Sequence, residues 1–189
     1  MIWETIVGSF TLVAASEMGD KTQLLAFSLA GRFRRPYPVM AGILVATAAN
    51  HALASSFGAW ISDHVPARTM AGVLAVTFVA FGLWALRPDD SDEGGKTGRF
   101  GPFVSTVVLF FLAEMGDKTQ LATVALAARF GSAVFVTVGS TLGMLASDGL
   151  AVFLGERFAT KAQDRWLRIT AACLFFLFGI VSAWSAVRG

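Results

Sequence analysis

The sequence predicts an all-α membrane protein of six transmembrane helices, arranged as two inverted three-helix repeats. Three observations lead there: apolar blocks of membrane-spanning length, a letter-for-letter internal repeat, and a lopsided distribution of basic residues among the loops. Of 189 residues, 55% are hydrophobic and only 15% are charged, against roughly 25% charged in a soluble domain. Mean hydropathy is +0.64. The apolar blocks run to about 20 residues, the length that crosses a bilayer core. A net charge of +2 comes without a clustered basic surface, a zinc-ligand pattern or a basic stripe interleaved with aromatics, so nucleic-acid binding is excluded as a function class. The lone Cys173 lies in an apolar run and reads as a packing residue.

The expected helices are 3–29, 38–61, 68–86, 101–127, 132–155 and 168–187. The start, MIWETIVGSF, lacks the positively charged region of a cleaved signal, so residues 1–28 read as a retained first helix. RFRRP at 32–36, SDHVP at 62–66, RFGS at 129–132 and ERFATKAQDR at 156–165 separate the apolar blocks. The longest break, RPDDSDEGGKTGR at 87–99, is polar and glycine-rich. The chain thus divides into a first repeat at 1–86, a cytoplasmic linker at 87–100 and a second repeat at 101–189. Trp3, Trp60, Trp84, Trp166 and Trp184 all fall near proposed helix ends, as an interfacial aromatic belt requires.

Loops one, three and five carry Arg32, Arg34, Arg35, Arg87, Lys96, Arg99, Arg157, Lys161, Arg165 and Arg168, while the other side has only Arg68, Arg129 and Arg188. The positive-inside rule then puts both termini outside the cytoplasm. The octapeptide EMGDKTQL occupies residues 17–24 and again 114–121, an offset of 97. The same offset aligns Arg32-Phe33 with Arg129-Phe130, Gly42 with Gly139, Gly58 with Gly155, and Phe81-Gly82 with Phe178-Gly179. Two copies of a three-span unit must run in opposite directions, the architecture of many secondary transporters, with a site where the repeats meet.

The octapeptide puts charges where they are costly. Glu17 and Glu114 lie about fifteen residues into their helices, near the bilayer midplane at 1.5 Å per residue. Glu17 and Asp20, like Glu114 and Asp117, are spaced to share one helix face, so four carboxylates converge if the two helices meet. Such oxygen clusters suit hard divalent cations, Ca²⁺ and also Mn²⁺. Without the ion the carboxylates repel, and protons relieve the repulsion, which offers a route to cation–proton exchange. Lys21 and Lys118, four residues after the glutamates, read as charge-balancing partners. Gly19 and Gly116 allow close helix approach or a local break. Thr22, Gln23, Thr119 and Gln120 are either further oxygen ligands or interhelical hydrogen-bonding groups. Asn50, His51 and Asp148 are additional ligand or proton-relay candidates. Asp148 aligns with His51 and has no acid opposite it in the first half.

Two copies of Glu-x-Gly-Asp-Lys-Thr at mirrored positions, six spans and a central linker resemble the Gdt1/TMEM165 family (UPF0016) over essentially the whole chain, without departure from the motif in either copy. The resemblance implies antiport of Mn²⁺ or Ca²⁺ against protons, with Glu17, Asp20, Glu114 and Asp117 as the cation site. It implies a bacterial inner-membrane member with Mn²⁺ favoured over Ca²⁺, no catalytic residues and no resident cofactor. The expected partners are the metal ion, protons and the lipid bilayer, with the oligomeric state open. Two other readings stand beside antiport: a passive divalent-cation channel, and a non-transporting structural or assembly protein whose acid–lysine pairs join helices.

Overall fold

The computed structural model describes residues 2–86, 100–154 and 161–188. Among these it is all helical: α1 (Ile2–Glu17), α2 (Lys21–Phe33), α3 (Pro36–His64), α4 (Ala67–Ala85), α5 (Pro102–Glu114), α6 (Lys118–Phe130), α7 (Ala133–Leu154) and α8 (Lys161–Arg188). The linker expected at 87–100 lies outside the described residues except for Phe100, as does Gly155, the expected counterpart of Gly58. α3 and α7 contain segments long and apolar enough to cross a bilayer by length and composition.

Two expected helices are each broken in two. The spans 3–29 and 101–127 become α1–α2 and α5–α6, interrupted at the acidic motif. The cause is local. Gly19 and Gly116 adopt φ of +81° and +78°, a region that costs a side chain about 1–2 kcal/mol. Asp20 and Asp117, in extended conformation, serve as the N-caps of α2 and α6. The remaining expected helices hold within a few residues except the last. α8 starts at Lys161, because Lys, Ala, Gln and Arg favour a helix beyond the apolar span.

The packing is pseudo-symmetric about the 97-residue offset. Gly42 of α3 lies against Phe103 and Thr106 of α5, and Gly139 of α7 lies against Ile6 and Ser9 of α1. Gly82 of α4 meets Phe176 of α8, while Gly179 of α8 meets Val79 of α4. A Cβ on Gly42, Gly82 or Gly139 would come within 2.7 Å of its neighbour, so these helix pairs are in close contact at the glycines. Thr47 donates to Met144 Sδ at 3.0 Å, and these two residues are each other's counterparts. Such a contact is possible only next to a two-fold axis.

Two apolar clusters flank the polar centre. One gathers Leu12, Met70, Leu74, Phe78, Leu126 and Phe175 with the alanines of α6. The other joins Ala26 and Leu29 of α2 to Val39, Ile43, Ala46 and Phe110. Arg34 ends α2 in the left-handed region at φ +50°, where the counterpart ending α6 is Gly131.

Candidate cation site

Each broken helix offers the same local construction. α1 and α5 end on their glutamates, and the chain turns through a hydrogen bond from Asp20 N to Glu17 O at 3.1 Å and from Asp117 N to Glu114 O at 3.2 Å. The turn is braced by a glutamine: Gly19 N donates to Gln23 Oε1 at 2.9 Å, and Gly116 N donates to Gln120 Oε1 at 2.7 Å. The glutamine amides then tie each turn to the other repeat. Gln23 Nε2 donates to the Ser147 carbonyl at 3.0 Å and reaches its hydroxyl at 3.2 Å. Gln120 Nε2 donates to Asn50 Oδ1 at 3.3 Å, and Asn50 Nδ2 donates to the Phe111 carbonyl at 3.0 Å.

The lysines cross between repeats as well. Lys21 Nζ lies 2.9 Å from Asp117 Oδ1, and Lys118 Nζ lies 2.7 Å from Asp20 Oδ2. This corrects the expected pairing of each lysine with the glutamate four residues before it. It equally corrects the expectation that Glu17 and Asp20 share a helix face. Both expectations assume one continuous helix, and the break at the glycine ends the register.

With the aspartates engaged by lysines, Glu17 and Glu114 are the acids of the motif that form no salt bridge with a described lysine. Both are completely buried. Carboxylate oxygens of Glu17, Glu114 and Asp117 lie within 4.8 Å of one another. Three carboxylate oxygens grouped this closely are the kind of donor set that holds a divalent cation. Thr22 donates to Glu17 Oε2 at 2.6 Å, and Thr119 donates to Glu17 Oε1. Neither oxygen of Glu114 has a hydrogen-bond partner.

The remaining candidates lie outside this trio, although Asp148 is close enough to Glu17, Glu114 and Asp20 to interact with them electrostatically. Asp148 and His51 are fully buried, and neither oxygen of the one nor either ring nitrogen of the other has a hydrogen-bond partner. Gln23, Gln120 and Asn50 are occupied in bracing the turns, which is the packing role rather than the ligand role. Met115 is 57% exposed. A cavity of about 470 Å³ lies elsewhere, where the α3–α4 turn meets the ends of α6 and α8. It includes Arg129 and none of the acids, and a cationic wall makes it a poor cation site. What sequence reasoning missed is the exchange of partners between the repeats. The signal for the break itself was present, a glycine followed by an N-capping aspartate.

The chain is similar over most of its length to proteins of one family. The family described as divalent cation/proton antiporter GDT1 matches residues 5–93 and 102–189. A "Putative manganese exporter" of Vibrio cholerae is 43% identical over 176 residues, covering 93% of this chain and 88% of that protein. A GDT1-like protein of Synechocystis is 31% identical over 198 residues, covering 93% and 95%. A GDT1-like protein 3 of rice is 28% identical over 208 residues, covering 96% and 74%. No solved structure matches the chain at a significant level.

Proposed function

The chain belongs to the divalent cation/proton antiporter GDT1 family, and on that premise we propose that it is a secondary transporter exchanging a divalent cation for protons across a bacterial inner membrane. The observation that carries this reading is the pair Glu17 and Glu114, buried, adjacent and unmatched by lysine. Two adjacent buried carboxylates, neither in a salt bridge, are strongly unfavourable when both are ionised. They are relieved either by one divalent cation or by protons, and alternation between those two states is the chemistry of an antiporter. Asp117 supplies a third oxygen ligand, and the lysine pairs keep both aspartates in place. Lowering pH on the binding side weakens cation binding, because protons compete for the same oxygens.

The six-span, inverted arrangement is supported by the reciprocal helix contacts and by the family's matches to residues 5–93 and 102–189. The half-helices have 16, 13, 13 and 13 residues. At 1.5 Å per residue each is about half of the 40–45 Å bilayer thickness, so the acids fall near the midplane. The distribution of basic residues supports termini outside the cytoplasm and a cytoplasmic linker. Mn²⁺ is the first substrate and Ca²⁺ the second. The order is supported by the name of the Vibrio cholerae relative, since the oxygen ligands suit both ions.

The test is uptake into proteoliposomes under an imposed pH gradient, with Mn²⁺, Ca²⁺ and Mg²⁺ compared and internal pH followed by a dye. Antiport requires Mn²⁺ entry that drives protons outward, lost in Asp117→Asn. Downhill flux without proton movement would make the protein a channel. Absence of flux, with stability lost in Glu114→Gln, would make it a scaffold.

A further inference from the structure

Most of the hydrogen bonds and ion pairs of the site are duplicated. The lysine–aspartate pairs, the braced glycines and the glutamine ties each occur twice, at positions related by the 97-residue offset. The threonines break the rule. Thr22 and Thr119 are counterparts, and so are Glu17 and Glu114. Symmetry would send one hydroxyl to each glutamate. Instead both hydroxyls donate to Glu17, one to each oxygen, and both Glu114 oxygens are bare.

A second asymmetry accompanies the first. α6 is embedded, with Lys118, Thr119, Ala122, Thr123 and Ala125 all buried, and it packs on α3 and α4. α2 buries only Thr22, Ala26 and Leu29. The protein is therefore seen closed around α6 and looser around α2. Exchanging the two repeats yields the alternative state, closed around α2 and loose around α6. The same exchange turns Thr22→Glu17 and Thr119→Glu17 into Thr119→Glu114 and Thr22→Glu114.

We propose that Thr22 and Thr119 form a two-position latch: in the state seen here both hold Glu17, and in the oppositely facing state both hold Glu114. The latch deepens the antiport reading and rests on it. A carboxylate that accepts two hydroxyls has its oxygens partly occupied and is fixed in direction. The bare glutamate is the one free to take the ion. Because oxygens of the two glutamates lie within 4.8 Å of each other, the hydroxyls change partner by a short displacement. The same step frees Glu17 as Glu114 is held, so an ion shared by the two glutamates shifts toward the one whose oxygens are bare. Thr22 and Thr119 are positioning residues in this scheme, and the ligands are the carboxylates.

Two measurements test the latch, one of which needs no transport. In a Cys173→Ala background, Ser28→Cys on α2 and Ala125→Cys on α6 report equivalent positions; Ser28 is exposed and Ala125 is 4% exposed. Labelling with a water-soluble thiol reagent is compared in Glu17→Gln and Glu114→Gln. Glu17→Gln weakens the present state, so labelling falls at residue 28 and rises at 125. Glu114→Gln weakens the alternative, so residue 28 stays reactive and 125 stays protected. Shifts in the same direction, or none, would overturn the proposal. Separately, the double variant Thr22→Val/Thr119→Val leaves both glutamates bare. Mn²⁺ exchange then slows about tenfold, the equivalent of a lost hydrogen bond, while Mn²⁺ affinity measured by calorimetry is unchanged or tighter. Thr→Ser at both positions restores the rate. A weaker Mn²⁺ affinity in the valine variant would make the threonines ligands and sink the latch. Failure of the antiport reading looks different: wild-type protein moves no Mn²⁺ against protons, whatever the labelling pattern.

Discussion

α2 and α6 begin with the same four residues and end in different surroundings. α2 reads KTQLLAFSLAGRF and α6 reads KTQLATVALAARF. The alanines of α6 let it sit close to α3: a Cβ on Gly58 would lie 2.1 Å from the Val124 carbonyl oxygen. Leu25, Phe27 and Ser28 give α2 a bulkier and more polar surface, and it stays at the edge. The difference reaches the site. Lys118 is nearly fully buried at its salt bridge, whereas Lys21 is 34% exposed at the equivalent bridge. An identical motif is therefore held in two environments by the helices that follow it, an inequality that the proposed alternation would use.

The comparison can be broken most severely at the acids. Glu17→Gln and Glu114→Gln should each reduce Mn²⁺ exchange in proteoliposomes to background, because each removes a carboxylate that no other group replaces. If one copy tolerates the change, the site belongs to a single repeat. The lysines come next. Lys118→Met removes the salt-bridge partner of buried Asp20 and should cost about 3 kcal/mol in thermal unfolding in detergent. Lys21→Met leaves Asp117 near a position that water reaches, and its cost should stay near 1 kcal/mol. Equal losses would mean that the exposure difference has no energetic consequence. Gly58→Ala forces α6 away from α3 and should cost about 1–3 kcal/mol, with increased labelling at Ala125→Cys. The smallest effect is at the helix ends. Arg34→Gly relieves a left-handed arginine where α6 already uses Gly131, and should stabilise by about 1 kcal/mol in the same unfolding measurement.

Much of the fold can be read in the residues themselves. Apolar blocks and polar breaks locate α3, α4 and α7 to within a few residues, whereas the expected spans 3–29 and 101–127 are each broken in two and α8 begins earlier than expected. The breaks at Gly19 and Gly116 were legible as a glycine before an N-capping aspartate, although the apolar periodicity on both sides argues for a continuous helix. The acids of the motif are conspicuous because charge in an apolar segment demands a reason. Their grouping was less legible. Sequence spacing joins Glu17 to Asp20 and Lys21 to Glu17, because only local geometry can be computed from spacing. In the folded chain each lysine crosses to the other repeat.

The sequence by itself determined the composition of the site, its duplication and the positions of the turns, since these depend on residue identity and local backbone preference. Only the tertiary structure decided which acids form salt bridges, which do not, and that Glu17 holds both threonines while Glu114 holds none. Those outcomes depend on how two nearly equivalent halves meet. Contacts across a pseudo-axis are set by the packing of the residues after the motif, where the two copies differ.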